Sequence, residues 1–190
     1  MLEKLRFKIG LLYTKVRFRK KKDDIKNFTE FVREDSRALI IMPNDPLQFE
    51  EAKDAVLHLK KEWPLLQPVL IVRSQFSALT ELKDIYRTIA ISAEDINRFY
   101  LPKRKFAREI PDYDYDIVID FNRDINLASS YISKKVNVDY RISFVKDYAD
   151  KFFNFQFNAD SVLHNKNVYS SLMKNLKMFC YKGMQNENKK

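Results

Sequence analysis

From residue 38 onward, short β-branched apolar runs alternate with segments of helical periodicity, and this alternation restricts the available folds more than any other feature. The apolar runs are ALIIM (38–42), PVLIVRS (68–74), RTIAIS (87–92), YDIVIDF (115–121) and YRISFV (140–145). Helical patterns fall between them at 46–63, 76–86 and 125–136, with a longer helical connection after residue 92. Parallel strands need a crossover of a dozen or so residues, and a helix supplies it. The spacing therefore predicts an α/β domain with a single Rossmann-like, doubly wound, mainly parallel sheet. In the first helical segment Ala52, Ala55, Val56, Leu59 and Trp63 share one stripe, Glu50, Lys53, Lys60 and Lys61 lie largely off it, and Pro64 marks its end. FFNFQF (152–157) alternates Phe153, Phe155 and Phe157 with Asn154 and Gln156, as a half-buried strand does. Val168, Tyr169, Leu172, Met173, Leu176, Phe179 and Cys180 then form a helical stripe able to close over the sheet.

With 190 residues the chain suits one full-sized core, assigned to residues 38–181. Residues 1–37 read as a basic helical extension and 182–190 as a disordered polar tail. Leu2, Leu5, Ile9, Leu12 and Val16 recur at three- and four-residue steps, RKKKDD follows at 19–24, and Ile25, Phe28 and Val32 give a second short helical pattern. The net charge of +9 belongs to the ends. Residues 1–37 carry 12 Lys/Arg against 6 Asp/Glu and 166–190 carry 6 against 1, whereas 38–165 carry 17 against 19. Lys4, Lys8, Lys15, Arg17, Arg19, Lys20, Lys21 and Lys22 make an anionic membrane surface a candidate partner. Nucleic acid fits less well, because few aromatics interleave with the basic run. The same apolar stripe could instead pack on the body, and both readings stand at this point.

Several chemistries find no support. The first fifteen residues are broken by charge every two or three positions, unlike a signal peptide, and no apolar run approaches the length of a membrane span. The single cysteine, Cys180, permits neither an internal disulfide nor a multi-thiolate metal site, so a cytoplasmic setting is expected. His58 and His164 stand alone without metal-ligand spacing. The two glycines, Gly10 and Gly183, lie outside the body, whereas a dinucleotide fingerprint or a phosphate-binding loop needs glycine next to a strand. No cofactor and no metal are expected.

In an open parallel sheet, ligands bind beyond the carboxyl ends of the strands where the strand order reverses. A 3-2-1-4-5 order would make the strands ending at Met42 and Phe121 neighbours and bring the loops PNDPLQ and NRDIN together. Asn44, Asp45, Gln48, Asn122, Arg123, Asp124 and Asn126 would then form a polar cluster suited to sugar hydroxyls or a phosphate, with Arg73 and Ser74 at its rim. Asp45 and Asp124 each also read as helix caps. Asp45 precedes Pro46, a favoured first helical residue, and Gln48 follows at capping-box spacing.

The order ALIIM, polar corner, helix ending KKEWP, PVLIVRS, long connection, YDIVIDFN and a helix leading to YRISF resembles the N-terminal domain of glycosyltransferase family nine, the ADP-heptose:lipopolysaccharide heptosyltransferases. NVYSSLMKNLKMF is similar to the helix that follows that domain in the family. The resemblance covers about residues 38–180 and rests on the pattern of strands. It implies one half of a GT-B fold, the half that binds the acceptor, working in lipopolysaccharide biosynthesis at the inner face of the membrane. The family's first loop carries Ser-Ser-x-Gly-Asp, whose Asp is its proposed base. Counted back from KKEWP, the Gly-Asp pair falls on Leu47 and Gln48, and an amide cannot take the acceptor's proton. No catalytic residue is assigned, and the chain ends where the nucleotide-sugar domain would begin. Three readings follow: a non-catalytic domain holding a saccharide or lipid acceptor, half of a glycosyltransferase completed by a nucleotide-sugar-binding partner chain, or a membrane-surface module.

Overall fold

The computed structural model describes residues 1–21, 33, 35–76, 79–110, 115–161 and 167–187, with backbone alone at 79, 80, 161 and 180–187. Six strands form one sheet: β1 (Arg37–Ile41), β2 (Gln67–Arg73), β3 (Arg87–Ile91), β4 (Ile117–Asp120), β5 (Tyr140–Phe144) and β6 (Phe155–Phe157). Their order is β3-β2-β1-β4-β5-β6, and every adjacent pair is parallel. The order reverses between β2-β1 and β4-β5, with Ile41 paired to Asp120 at the last rung of β1 and β4.

Strand alternation sorts the side chains into two cores. Ala38, Ile40, Leu70, Val72, Ile117 and Ile119 face α2 (Pro46–Glu62), α3 (Leu79–Ile85) and α6 (Val168–Glu187), meeting Phe49, Val56, Leu59, Leu82, Tyr169 and Leu172. Leu39, Ile41, Ile71 and Val118 face α4 (Arg104–Glu109) and α5 (Leu127–Lys135), meeting Phe106, Ile110 and Ile132. The α2 stripe is buried as its periodicity requires, with Trp63 2% exposed. In α6, Val168, Tyr169, Leu172, Met173 and Leu176 are buried.

The structure differs from the sequence reading mainly at segment ends. Within the second helical pattern, 76–86, the described helix is Leu79–Ile85. The long connection becomes a 3-10 turn at Ala93–Asp95, a reversal closed by an Ile96–Pro102 bridge, and α4. FFNFQF divides: Phe152 and Phe153 follow a 3-10 turn into a small third core, and only Phe155–Phe157 extends as edge strand β6. Helix α6 continues to Glu187, into the segment read as a polar tail, since its Lys, Met, Gln and Glu residues are good helix formers. The helical pattern of Ile25, Phe28 and Val32 lies outside the described residues, as do Lys22 and His164, and so does the side chain of Cys180.

The largest correction concerns α1 (Leu2–Phe18). It packs on the body, but not through the stripe read from the sequence: Leu2, Leu5, Ile9, Leu12 and Val16 are all exposed, while Gly10, Leu11 and Thr14 are buried. Leu11 joins Leu101, Leu127, Ala149, Phe152 and Phe153, with Phe7 beside them. Phe18 meets Tyr131 edge-on at 5.1 Å. Beyond the helix, Lys21 Nζ donates to the carbonyls of Lys134 (2.8 Å) and Val136 (2.7 Å) at the end of α5. Those carbonyls have no partner within the helix, and the negative end of its dipole favours a cation. Lys21 is thus half-buried and engaged there, which takes it out of the set of outward-facing cations.

Gly10 permits this docking. A Cβ at residue 10 would stand 2.2 Å from the Phe99 carbonyl oxygen and 3.2 Å from Leu127 Cδ1. Alanine favours a helix interior over glycine by about 1 kcal/mol, but forcing a methyl group into a closed contact costs about 1–3 kcal/mol. Gly10→Ala is therefore expected to lower the unfolding free energy in urea, and to leave α1 more open to proteolysis at Lys8 and Lys15. A gain in stability would show that the contact yields easily.

Candidate functional site

The reversal between β1 and β4 creates the crevice, and one buried carboxylate organises it. Asp120 ends β4 completely buried. Its Oδ1 accepts from the Asn122 backbone N–H (3.1 Å) and from Asn122 Nδ2 (2.6 Å), and its Oδ2 accepts from Ser129 Oγ (2.8 Å) and Lys146 Nζ (2.9 Å). Lys146, its side chain 2% exposed, also donates to the Asn122 carbonyl and lies 5.1 Å from the centre of the Phe153 ring. Both charges are removed from water, so each depends on the other and on the neutral donors around them. The two carboxylate oxygens are fully occupied, which suits a structural role.

From Asp120 the order passes along the strand ends. Asn122, 5% exposed, accepts the Asn44 backbone N–H through Oδ1 at 3.0 Å. Asn44 Oδ1 in turn accepts from Arg73 Nε at 3.0 Å. A hydrogen-bonded line thus runs from β5 to β2 through Lys146, Asp120, Asn122, Asn44 and Arg73. It forms a wall between two cavities.

On the β2 side, a cavity of about 290 Å³ is lined by Asn44, Arg73, Asn126, the apolar ends of β1–β3, the start of α5, Phe7 and Tyr100. Asn126 caps α5, its Oδ1 accepting the Ser129 N–H at 3.1 Å. Tyr100 is held at φ 63°, a left-handed conformation uncommon for a bulky residue. The turn is fixed by Asn97, whose Oδ1 accepts from the Phe99 and Leu101 N–H groups. This places the Tyr100 ring 6.4 Å from that of Phe7. Among the described residues of the lining, Arg73 carries the only formal charge.

On the β5 side, a cavity of about 470 Å³ is lined by Asp45, Gln48, Glu51, Arg123, Asp124 and Asp160 among others. Four carboxylates face one guanidinium there. Asp45 caps α2, its Oδ1 accepting the Gln48 N–H at 2.9 Å. Gln48 ties the two loops together: its Nε2 donates to Asp124 Oδ2 (3.3 Å) and its Oε1 accepts the Arg123 N–H (3.2 Å). The nearby Tyr169 hydroxyl is buried with no partner among the described residues, and burial pushes its ionisation far above the usual phenol range.

The structure therefore divides the sequence-derived cluster. Asn44, Arg73 and Asn126 line one cavity, Asp45, Gln48, Arg123 and Asp124 line the other, and Asn122 is buried in the wall between them. Ser74 lies outside both, exposed, with its N–H donating to the Ile91 carbonyl at 3.0 Å. Asp124 does not cap α5, because Asn126 does. Sequence reasoning missed Asp120 and Lys146. The one available signal was a charged residue at the end of each of two apolar runs, YDIVIDF and YRISFVK. Among the described residues no group of three or more His, Cys, Asp or Glu could hold a metal.

Solved structures share this architecture. The chain matches E. coli heptosyltransferase WaaC with ADP at a TM-score of 0.55 and 15% identity, covering 73% of this chain and 46% of that one. A glycosyl transferase family 9 protein from Veillonella parvula DSM 2008 matches at a TM-score of 0.55 and 16% identity, covering 76% and 42%. WaaC with ADP-2-deoxy-2-fluoro heptose gives 0.54 and 14%, covering 73% and 47%. The fold is that of a family 9 glycosyltransferase domain. The chain spans less than half the length of these three structures. No family model and no curated protein sequence matches it.

Lys146→Ala would leave Asp120 a buried, uncompensated anion, and loss of one partner from such a pair costs about 3–5 kcal/mol. Asp45→Ala removes one helix cap, worth about 1 kcal/mol. Denaturant unfolding of the two variants should reproduce this ranking. Equal losses would mean that the ion pair is not the organising contact of the crevice.

Proposed function

We propose that the chain is a heptosyltransferase-like acceptor-side domain that binds an anionic saccharide, such as a sugar phosphate, in the Arg73 cavity and does not catalyse transfer alone. The observation that carries this reading is the state of Arg73. Its Nε is anchored by Asn44, which fixes the plane of the guanidinium in a cavity where, among the described residues, no carboxylate lies. A planar, pre-oriented fork of N–H donors suits the oxygens of a phosphate or carboxylate. Tyr100 and Phe7 in the lining offer apolar faces to a sugar ring, and Asn44 and Asn126 offer amides to its hydroxyls. The second cavity has the opposite charge balance and would repel the same ligand.

The loop after β1 supports the lack of catalysis. Gln48 stands where the family's motif would place its acid, and both ends of its amide are hydrogen-bonded to the loop after β4. Asp45 is committed to the α2 cap. The saccharide would belong to cell-envelope chemistry such as lipopolysaccharide assembly, by analogy with the heptosyltransferases that share the fold.

Calorimetric titration with a sugar phosphate and with the same sugar lacking phosphate tests the reading. Binding should need the phosphate, and Arg73→Ala should weaken it by about tenfold or more, since a hydrogen bond to a charged group is worth about 1.5–3 kcal/mol. Melting temperature should change little, Arg73 being only half-buried. Incubation with an ADP-sugar and the acceptor should give no transfer. Tight binding of the phosphate-free sugar, or turnover lost in Asp45→Ala, would refute the assignment.

A further inference from the structure

Helix α1 has three faces. At 100° per residue, Gly10, Leu11, Thr14, Phe7 and Phe18 make the body-facing arc, and Leu2, Leu5, Ile9, Leu12, Tyr13 and Val16 fall within an opposite arc of roughly 100°. Those six side chains are each 42% to 62% exposed. Cations border the apolar arc on both sides. Lys4, Lys8, Lys15 and Arg19 lie along one edge, and Arg6 and Arg17 along the other. The one acid in α1, Glu3, falls on the body side.

The second edge opens into a cavity of about 810 Å³ between α1, α4, α5 and the turn before α4. Arg17, Lys103, Arg104, Arg108 and Lys135 line it together with Tyr13, and among the described residues no carboxylate does. Lys135 is held by a bond from Nζ to the Ala107 carbonyl at 2.6 Å, while Lys103, Arg104 and Arg108 stay exposed.

We propose that the outward face of α1 docks on an anionic lipid bilayer, with the apolar arc in the acyl boundary and the bordering cations and the basic cavity against lipid phosphates. A helix lying in the interface has an apolar stripe beside cationic positions. The α1 arrangement differs only in that a third face is fastened to a folded domain. No described helix is long and apolar enough to cross a membrane, so the contact is lateral. A second copy fits the face poorly, because a two-fold contact brings each cationic edge against another cationic edge. Nucleic acid would neutralise the cations but leave the six-residue apolar arc uncovered. The docking is independent of what binds in the Arg73 cavity, and either proposal can fail alone.

Removing residues 1–34 would uncover Leu101, Leu127, Phe152 and Phe153, so outward-facing substitutions in the full chain make the sounder test. Co-sedimentation would compare vesicles of phosphatidylcholine with vesicles of phosphatidylcholine and phosphatidylglycerol. The unaltered chain is expected to bind the anionic vesicles, less at high salt, and to bind neutral ones weakly. Leu12→Gln with Val16→Gln should abolish most of the bound fraction, and each of Lys4→Gln and Lys8→Gln should weaken binding about fivefold. All three variants should melt at the temperature of the unaltered chain, as exposed sites do. Absence of vesicle binding, equal binding to both vesicle types, or binding unaffected by the Leu12/Val16 pair would overturn the proposal. So would a stable dimer that hides the arc and leaves the vesicles bare.

Discussion

The buried pair of Lys146 and Asp120 is the contact on which the crevice depends. A carboxylate without solvent must collect its full set of donors from the protein, and Asp120 does so from the loop after its own strand, from α5 and from the segment after β5. Each donor it recruits becomes fixed. Asn122 is fixed first, Asn44 by Asn122, and Arg73 by Asn44. A buried ion pair is weak evidence of net stability, since desolvation offsets the attraction. Here its effect is geometric: it separates two cavities of opposite charge at the place where an open parallel sheet presents its ligand site.

Most of the sheet was legible because parallel strands buried on both faces read as continuous apolar runs. Leu39 and Ile40 point to different cores yet meet equally dry surroundings, so ALIIM carries no polar residue. The edge was less legible. β6 has one partner and one open side, and FFNFQF carries both a turn and a strand whose boundary no periodicity marks. The exposed arc of α1 was visible as a stripe, but not its direction. A hydrophobic stripe on a helix ordinarily faces its own core, and α1 breaks the rule because Gly10 lets the opposite side approach the Phe99 carbonyl.

The meeting of the two loops was legible, and the arrangement of their side chains was not. Strand order alone brings the loops after β1 and β4 together, and the cluster from Asn44 to Asn126 follows from it. What sequence could not supply was the division into two cavities, because that depends on which side chains hydrogen-bond across the chain reversal. Gln48 illustrates the difficulty. The resemblance read from the sequence puts it in the place of the family's proposed base, while in the structure both ends of its amide bridge the loops. Asp120 and Lys146 lie some two dozen residues apart, and neither forms a motif with its own neighbours.

An open parallel sheet presents its ligand site at such a crevice, and the proposed ligand is anionic because Arg73 lines the cavity there. The most direct test observes the guanidinium itself. In a nitrogen–proton correlation spectrum, addition of a sugar phosphate should shift the Arg73 Nε–H resonance and the side-chain amides of Asn44 and Asn126, leaving the Arg123 and Gln48 signals in place. Shifts concentrated on Arg123 and Gln48, or none at Arg73 with ligand in excess, would contradict the account.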